Sequence, residues 1–226
     1  MGIESSGRTS SVAVVGESKF SEITQEAQLT HSETLLPQMK EVLKLAGAAR
    51  QDIGAVAVSI GPGSFTGLRI GLAAAKALAD GWKIPIIGIP TLLTYAYHFP
   101  IEGLKVQPMI DAQKGRAYVQ RYEWIDGQPQ ALMEIEVQEI NEAVKRAGEL
   151  GGQVIICGDV CEKIKELPEG VKIAPMNLRK ARAVNVGIAG RRLLEEGRVD
   201  DVMTLEPKYI RRSEAELLWE RRHNAG

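Results

Sequence analysis

Four glycines, Gly61, Gly63, Gly67 and Gly71, stand in the spacing GxGxxxGxxxG, directly after the apolar run IGAVAVSI at 53–60. That run reads as a buried strand, and the pattern turns helical from about Ser64. Pro62 donates no backbone hydrogen bond and glycine tolerates positive φ, so Gly61-Pro62-Gly63 ends the strand. A glycine turn between a strand and a helix serves one of two purposes. Its backbone N–H groups converge on an anion, or it lets the helix pack very close to the sheet. The chemistry of the first would be phosphate binding. A Walker loop needs GxxxxGK[ST], and no Lys-Ser or Lys-Thr follows here. A dinucleotide fingerprint needs GxGxxG and an acid at the end of the next strand, which here reads Gly88-Ile89-Pro90.

Other reactive residues are sparse. Ser5 and Ser6 fall in the turn of an N-terminal hairpin, where small hydroxyl residues can cradle a phosphate or simply make the turn. With Gly61 and Gly63 they form a candidate phosphate-loop remnant. The histidines, His31, His98 and His223, lack metal-ligand spacing, and His31 beside Glu33 reads as a capping-loop residue. Cys157 and Cys161 read as core thiols. Ser64 lies in Gly-Ser-Phe rather than a GxSxG elbow, so a hydrolase triad has no support. Lys208, Arg211, Arg212, Arg221 and Arg222, with Arg191 and Arg192 upstream, could meet phosphates or an acidic partner, or form a solvated face.

The elements that must position these groups follow from pattern and composition. The chain has 226 residues, 44% apolar and 25% charged, with a formal net charge of -1. A sizeable core follows, and a protein that mainly coats nucleic acid or anionic membrane is disfavoured. No run reaches membrane-span length and no signal-peptide pattern opens the chain, so a cytoplasmic location is expected. A very short first strand, a polar turn, a second strand and a third near 20–30 precede a helix. Thr30-His31-Ser32-Glu33 fits a capping box for that helix. Pro37 is expected in the first turn or at a kink, with the true start a few residues after the box. The helix after the glycine turn, 65–82, carries Thr66, Arg69, Lys76 and Asp80 on one narrow stripe and is otherwise apolar or small. Burial on two sides is the expectation, with Gly67, Gly71, Ala74 and Ala75 letting a second helix come close. A strand at 84–89 and a helix from Pro90 follow. The pattern changes near 99–105. Beyond it come a hairpin over 109–124, a third strand at 131–137, a helix at 140–149 and a strand at 154–157. A short helix near 161–167, a strand at 172–174 and a helix at 183–196 complete the order, before an extended tail and a short turn at 217–222. The halves echo one another: hairpin, third strand, helix, then a strand ending in a glycine turn.

Several motifs together resemble the TsaB (YeaZ) family. They are Ile3-Glu4-Ser5-Ser6 with Val12-Ala13-Val14; His31-Ser32-Glu33 with Leu35-Leu36-Pro37; the run Gly61-Pro62-Gly63-Ser64-Phe65-Thr66-Gly67-Leu68-Arg69-Ile70-Gly71; Asp111-Ala112 with Tyr118; and Pro207-Lys208-Tyr209-Ile210-Arg211. The resemblance spans nearly the whole chain. It implies an α/β fold of two duplicated actin/sugar-kinase-like (ribonuclease H-like) domains, each a mixed sheet with helices. These would be a domain over 1–103 and a smaller one over 104–226, with the helix at 183–196 a candidate to pack back on the first. It also implies a role in making threonylcarbamoyladenosine on tRNA, beside the catalytic paralogue TsaD. That paralogue has two metal-binding histidines four apart where this chain has Thr91 and Tyr95, and an acidic pair where this chain has Arg8 and Thr9. The implied role is a non-catalytic partner that activates TsaD and helps recruit the ATPase TsaE, with self-pairing when TsaD is absent. No metal or other cofactor is implied, and ATP or ADP only at the partner interface. Contact with tRNA would be indirect or weak. The expected contacts are Leu35, Leu36, Met39, Leu43, Leu68 and Leu72, with Arg69 and Lys76 at the rim. The rival readings are an ATP-using phosphotransferase with turns at Ser5-Ser6 and Gly158-Asp159, a metallopeptidase, and a direct tRNA contact through the C-terminal arginines.

Overall fold

Alternating hairpins and helical runs build two five-strand sheet paths of the same order. The computed structural model describes residues 1–17, 20–26 and 31–210, without the side chains of 31 and 32. Thr30 of the capping box, the side chain of His31, Arg211, Arg212, Arg221, Arg222, His223 and the turn at 217–222 lie outside the described residues.

The first sheet contains β1 (Gly2–Glu4), β2 (Thr9–Val15), β3 (Phe20–Glu26), β4 (Val56–Gly61) and β5 (Ile86–Pro90), in the order β3-β2-β1-β4-β5. The β1–β2 and β2–β3 pairs are antiparallel, while β4 is parallel to β1 and β5 parallel to β4. Val56, Ala57, Val58, Ser59 and Ile60 are all buried, as expected of a central parallel strand covered on both faces. One cover consists of α1 (His31–Ala46) and α2 (Phe65–Trp82), which share a core cluster with Ile3, Val12 and Val58. The other is α5 (Ala183–Glu195), which approaches closely because its glycines face small residues. A Cβ on Gly190 would lie 2.3 Å from that of Ala57, and one on Gly2 would lie 2.2 Å from the Ala183 carbonyl oxygen.

The second sheet follows the same path with β6 (Lys105–Asp111), β7 (Arg116–Val119), β10 (Glu136–Glu139), β11 (Val154–Cys157) and β12 (Val171–Ile173), in the order β10-β7-β6-β11-β12. Here too the first three strands are antiparallel neighbours and the last two run parallel. The sheet is covered on one face by α4 (Ile140–Gly148), through Ile140, Ala143, Val144 and Ala147. On the other lies α3 (Thr91–Ala96), through Leu92, Tyr95 and Ala96.

Several expected boundaries move. α1 starts at His31, and Pro37 sits inside it, so the start is not delayed by the proline. The helix gives up only the bond that a residue-37 N–H would make to the carbonyl four residues back. The alternating run expected as one strand up to residue 124 is two strands. β7 pairs with the end of β6, whereas β8 (Tyr122–Ile125) pairs with its beginning, at Lys105 and Val106. Likewise the strand expected at 131–137 is β9 (Gln128–Ala131), paired with β8, and the separate β10. The helix expected near 161–167 is a 3-10 turn at Asp159–Lys163. Among the described residues no helix is long and apolar enough to cross a membrane.

Candidate functional site: the glycine turn and the face of its helix

The glycine turn closes on the first hairpin. Ser64 donates its backbone N–H to the Ser6 carbonyl at 2.6 Å, and Ser5 Oγ donates to the Gly67 carbonyl at 2.8 Å. A Cβ on Gly63 would stand 2.5 Å from the Ser6 carbonyl oxygen, and one on Gly71 only 2.1 Å from Ser5 Oγ. These glycines therefore allow close packing of helix on sheet, the second of the two roles open to such a turn. Gly71 faces inward onto Ser5 and Ile3, and Gly67 is buried with its carbonyl on Ser5, which corrects the expectation that they admit a second helix.

Gly63 is brought against Ser6, and the Ser5 hydroxyl and both donors of Ser6 are used internally. Both the backbone N–H and the Oγ of Ser6 donate to the Glu4 carboxylate, whose other oxygen accepts from Ser59 Oγ. Gly61, at φ +113°, is backed by the chain's own C-terminal segment, since a Cβ there would lie 2.9 Å from the Lys208 carbonyl oxygen. The Ser6 N–H and hydroxyl, two donors a phosphate there would need, thus bind a carboxylate.

Thr91 and Tyr95, the positions where the resemblance implies histidines in the paralogue, are buried. Thr91 Oγ1 has no hydrogen-bond partner among the described residues. Burial pushes the Tyr95 phenol well above its usual pKa, with the charges of Asp159 and Glu4 adding to the effect, so the ring sits there protonated. Burial also raises the Asp159 carboxyl, while its Oδ1 accepts from the Asp111 N–H at 2.8 Å. Cys157 and Cys161 are buried free thiols, and burial raises both.

α2 presents four aspects. Ser64 caps it, its Oγ accepting from the Gly67 N–H at 3.2 Å. Leu68, Leu72, Ala75 and Ala79 face the core. Ile70, Ala74 and Leu78, half-buried, form a flank packed on the same cluster as Leu35, Met39 and Val42 of α1. Arg69 and Lys76, on the opposite flank at 100° per residue, meet a strap formed by residues 200–209. Thr66, Ala73, Ala77 and Asp80 remain exposed. Among the described residues the helix is thus covered on its inner side and flanks only.

This arrangement overturns four of the expected contacts. Leu35, Met39, Leu68 and Leu72 are 1%, 4%, 1% and 5% exposed, as parts of the chain's own core. Their apolar periodicity marks the face toward the sheet, which a helix must fill first. Leu36 lies outward at 62% exposure, with Leu45 at 60%, and Leu43 is half-buried. The strap's sequence signals are its polar, extended character and the motif from Pro207 to Arg211, neither of which shows that it packs on the first sheet. Asp200 donates its N–H to the Ile86 carbonyl and accepts from the Gly88 N–H, Leu205 is buried, and Lys208 donates its N–H to the Ile60 carbonyl at 2.7 Å. Lys76 Nζ donates to the Met203 carbonyl and Arg69 Nε to the Tyr209 hydroxyl.

Comparisons with known proteins agree with this architecture. The family model for TsaD, tRNA N6-adenosine threonylcarbamoyltransferase, matches residues 20–219. The tRNA threonylcarbamoyladenosine biosynthesis protein TsaB of Escherichia coli K12 is 28% identical over 195 residues, 82% of each chain. Its counterpart from Buchnera aphidicola subsp. Schizaphis graminum is 32% identical over 163 residues, 69% of this chain and 75% of the relative. A crystal structure described as an uncharacterized protein with similarity to peptidase YEAZ, from Pseudomonas aeruginosa, superposes with a TM-score of 0.78 at 22% identity. It covers 92% of this chain and 97% of its own, which shows a shared fold. The chain belongs to the TsaB (YeaZ) family, within the wider group that the TsaD model describes.

Proposed function

We propose that this chain is a non-catalytic accessory subunit in the biosynthesis of threonylcarbamoyladenosine, on the tRNA adenosine next to the anticodon. It would hold a TsaD-type threonylcarbamoyltransferase in its active form and help recruit the ATPase TsaE. The observation that carries this reading is the division of labour around the glycine turn. The turn's donors serve Glu4, and Thr91 and Tyr95 stand in place of a metal-binding pair. The helix behind it meanwhile leaves Ala73 and Ala77 open beside an α1 that exposes Leu36. Small residues on one helix and a leucine on its neighbour suit the close packing of a second helical pair.

The docking face so read comprises Leu36, Leu43, Ala73 and Ala77, with Arg69 and Lys76 along one edge. We read the matching strand orders as two duplicated actin-like domains, over 1–103 and 104–226. The chain would work in the cytoplasm without a cofactor of its own, a nucleotide sitting only where it meets its partner. In the partner's absence the same face would pair two copies, and tRNA would be met indirectly.

The test is a binding titration with the threonylcarbamoyltransferase of the same organism. Leu36→Glu places a charge at the centre of the proposed face and is expected to cost roughly 2 kcal/mol or more of binding. Its thermal midpoint should match that of the unmodified chain, because Leu36 is exposed. Undiminished binding by Leu36→Glu would rule out this face.

A further inference from the structure

The strap leaves Arg69 in a state shared by none of the arginines on α5. Arg191 and Arg192 meet Glu195 and Glu196, and the nearby Arg182 meets Glu22. Arg69 meets two aromatic rings and a hydroxyl. Its guanidinium carbon lies 3.8 Å from the Phe65 ring centroid and 5.9 Å from that of Tyr209. Those two rings themselves stack at 4.8 Å. Nε donates to the Tyr209 hydroxyl at 3.0 Å. No carboxylate among the described residues lies within ion-pair distance of it. Lys76, further along the same flank, differs: it donates to the Met203 carbonyl, and its charge adds a little to the lowering of the Asp201 carboxyl that the Thr204 and Met203 N–H groups mainly cause.

The geometry points to Arg69 as a carboxylate reader at the edge of the docking face, set to receive an Asp or Glu side chain of the partner transferase. This rests on the docking reading above. An exposed guanidinium that is held in place, with no carboxylate beside it among the described residues, carries it. A guanidinium held by ring stacking and by its Nε keeps its terminal nitrogens free. Their planar fork matches a carboxylate in a bidentate way that an ammonium cannot. Holding the side chain beforehand also removes part of the ordering cost that an exposed arginine meets on binding. Tyr209 is then a positioning residue, acting through Arg69, and the strap carries it to the start of α2.

The experiment measures affinity for the partner transferase at low and high salt, for the full chain and for Arg69→Gln, Arg69→Lys, Tyr209→Phe and Leu36→Glu. Arg69 and Tyr209 are exposed, so these variants keep the fold. Arg69→Gln is expected to weaken binding about tenfold and to flatten its salt dependence. Arg69→Lys should lose most of the same affinity, and Tyr209→Phe, which removes only the pin, a few-fold. If Leu36→Glu abolishes binding while Arg69→Gln matches the unmodified chain at both salts, the docking face stands and the Arg69 inference falls. If Leu36→Glu binds normally, the docking reading falls and takes this one with it. Full affinity in Arg69→Lys would mean a point charge suffices, and overturns the fork. Should deleting residues 211–226 reproduce the Arg69→Gln loss, with no further loss in the combined variant, the carboxylate comes from the chain's own tail. Should Arg69→Gln alter only self-association, seen by gel filtration across concentrations, it comes from a second copy. Either result overturns the assignment to the partner.

Discussion

The two halves make the same turn and then build different things behind it. In the first, β4 ends at Gly61 with φ +113° and passes into an eighteen-residue helix before β5. In the second, β11 ends just before Gly158 with φ +110° and passes into a five-residue 3-10 turn before β12. Strand order and sense are the same, so the sheet path does not require a long helix at this crossover. The second half closes its core with Val160 and Cys161 of the short turn, together with α4. The first half carries a helix whose outer side meets nothing among the described residues. A helix longer than its own core needs, with alanines facing outward, is what a docking element looks like in folding terms.

The two glycines offer the strongest way to break that comparison. Gly158→Ala would set a Cβ 2.0 Å from the Met109 carbonyl oxygen, at a φ that L-residues rarely adopt. Met109 is fully buried in β6, so the backbone has nowhere to yield. The expected cost is about 3 kcal/mol or more, read as the loss of unfolding free energy in urea. Gly61→Ala meets the Lys208 carbonyl oxygen at 2.9 Å, on a strap at the surface that can shift, and should cost about 2 kcal/mol. An equal or larger loss at Gly61 would mean that the strap is as rigid as the core of the second sheet.

Helix capping distinguishes the halves on a smaller scale. Ser64 caps α2 through its side chain, whereas the short turn of the second half starts at Gly158, with no side-chain cap. Ser64→Ala should cost about 1 kcal/mol in the same urea experiment. A negligible change would show that the Ser64 N–H bond to Ser6, which alanine keeps, is what anchors the start of the helix.

How far the sequence revealed this arrangement follows from what each signal measures. Periodicity located α1, α2, α4 and α5 because apolar residues at helical spacing mark the face that packs inward. For the same reason it misassigned the docking contacts. Leu35 and Leu36 are adjacent and equally apolar, yet one is core and the other exposed, and only the direction of the sheet decides which. Alternation found the strand residues up to 124 but not the break at Gln120 and Arg121, since pairing with opposite ends of β6 leaves no mark on a period of two. The glycine spacing was legible as a turn, while its purpose was not. It depended on Glu4 taking the Ser6 donors, a contact between neighbours that only the folded turn displays. The strap was the least visible of all, because it is held by backbone bonds from Asp200 and Lys208 to the first sheet.

The smallest expected effect lies at the seam where α3, closing the first half, meets α5. His98 Nε2 is 2.9 Å from the Lys180 carbonyl oxygen and its Nδ1 is 3.2 Å from Asn185 Nδ2. A carbonyl on one side and an amide N–H on the other select the neutral ring with its hydrogen on Nε2. Asn185 is oriented for this by donating also to the Thr94 carbonyl at 2.9 Å. Burial holds the His98 pKa below its ordinary value of 6.5, and the charge of Arg182 acts in the same direction, against the Lys180 carbonyl and Glu22. The unfolded chain therefore takes up the proton at a higher pH than the folded one. The stabilisation is complete above the ordinary histidine pKa and is lost as pH falls through the lowered value. Urea midpoints should accordingly fall as pH drops from about 8 to about 5, and fall less steeply in His98→Gln, which cannot be protonated. Identical slopes would mean that the seam accepts the imidazolium, with Asn185 turning its carbonyl toward Nδ1. The α3–α5 contact would then be a yielding joint between unequal halves rather than a fixed one.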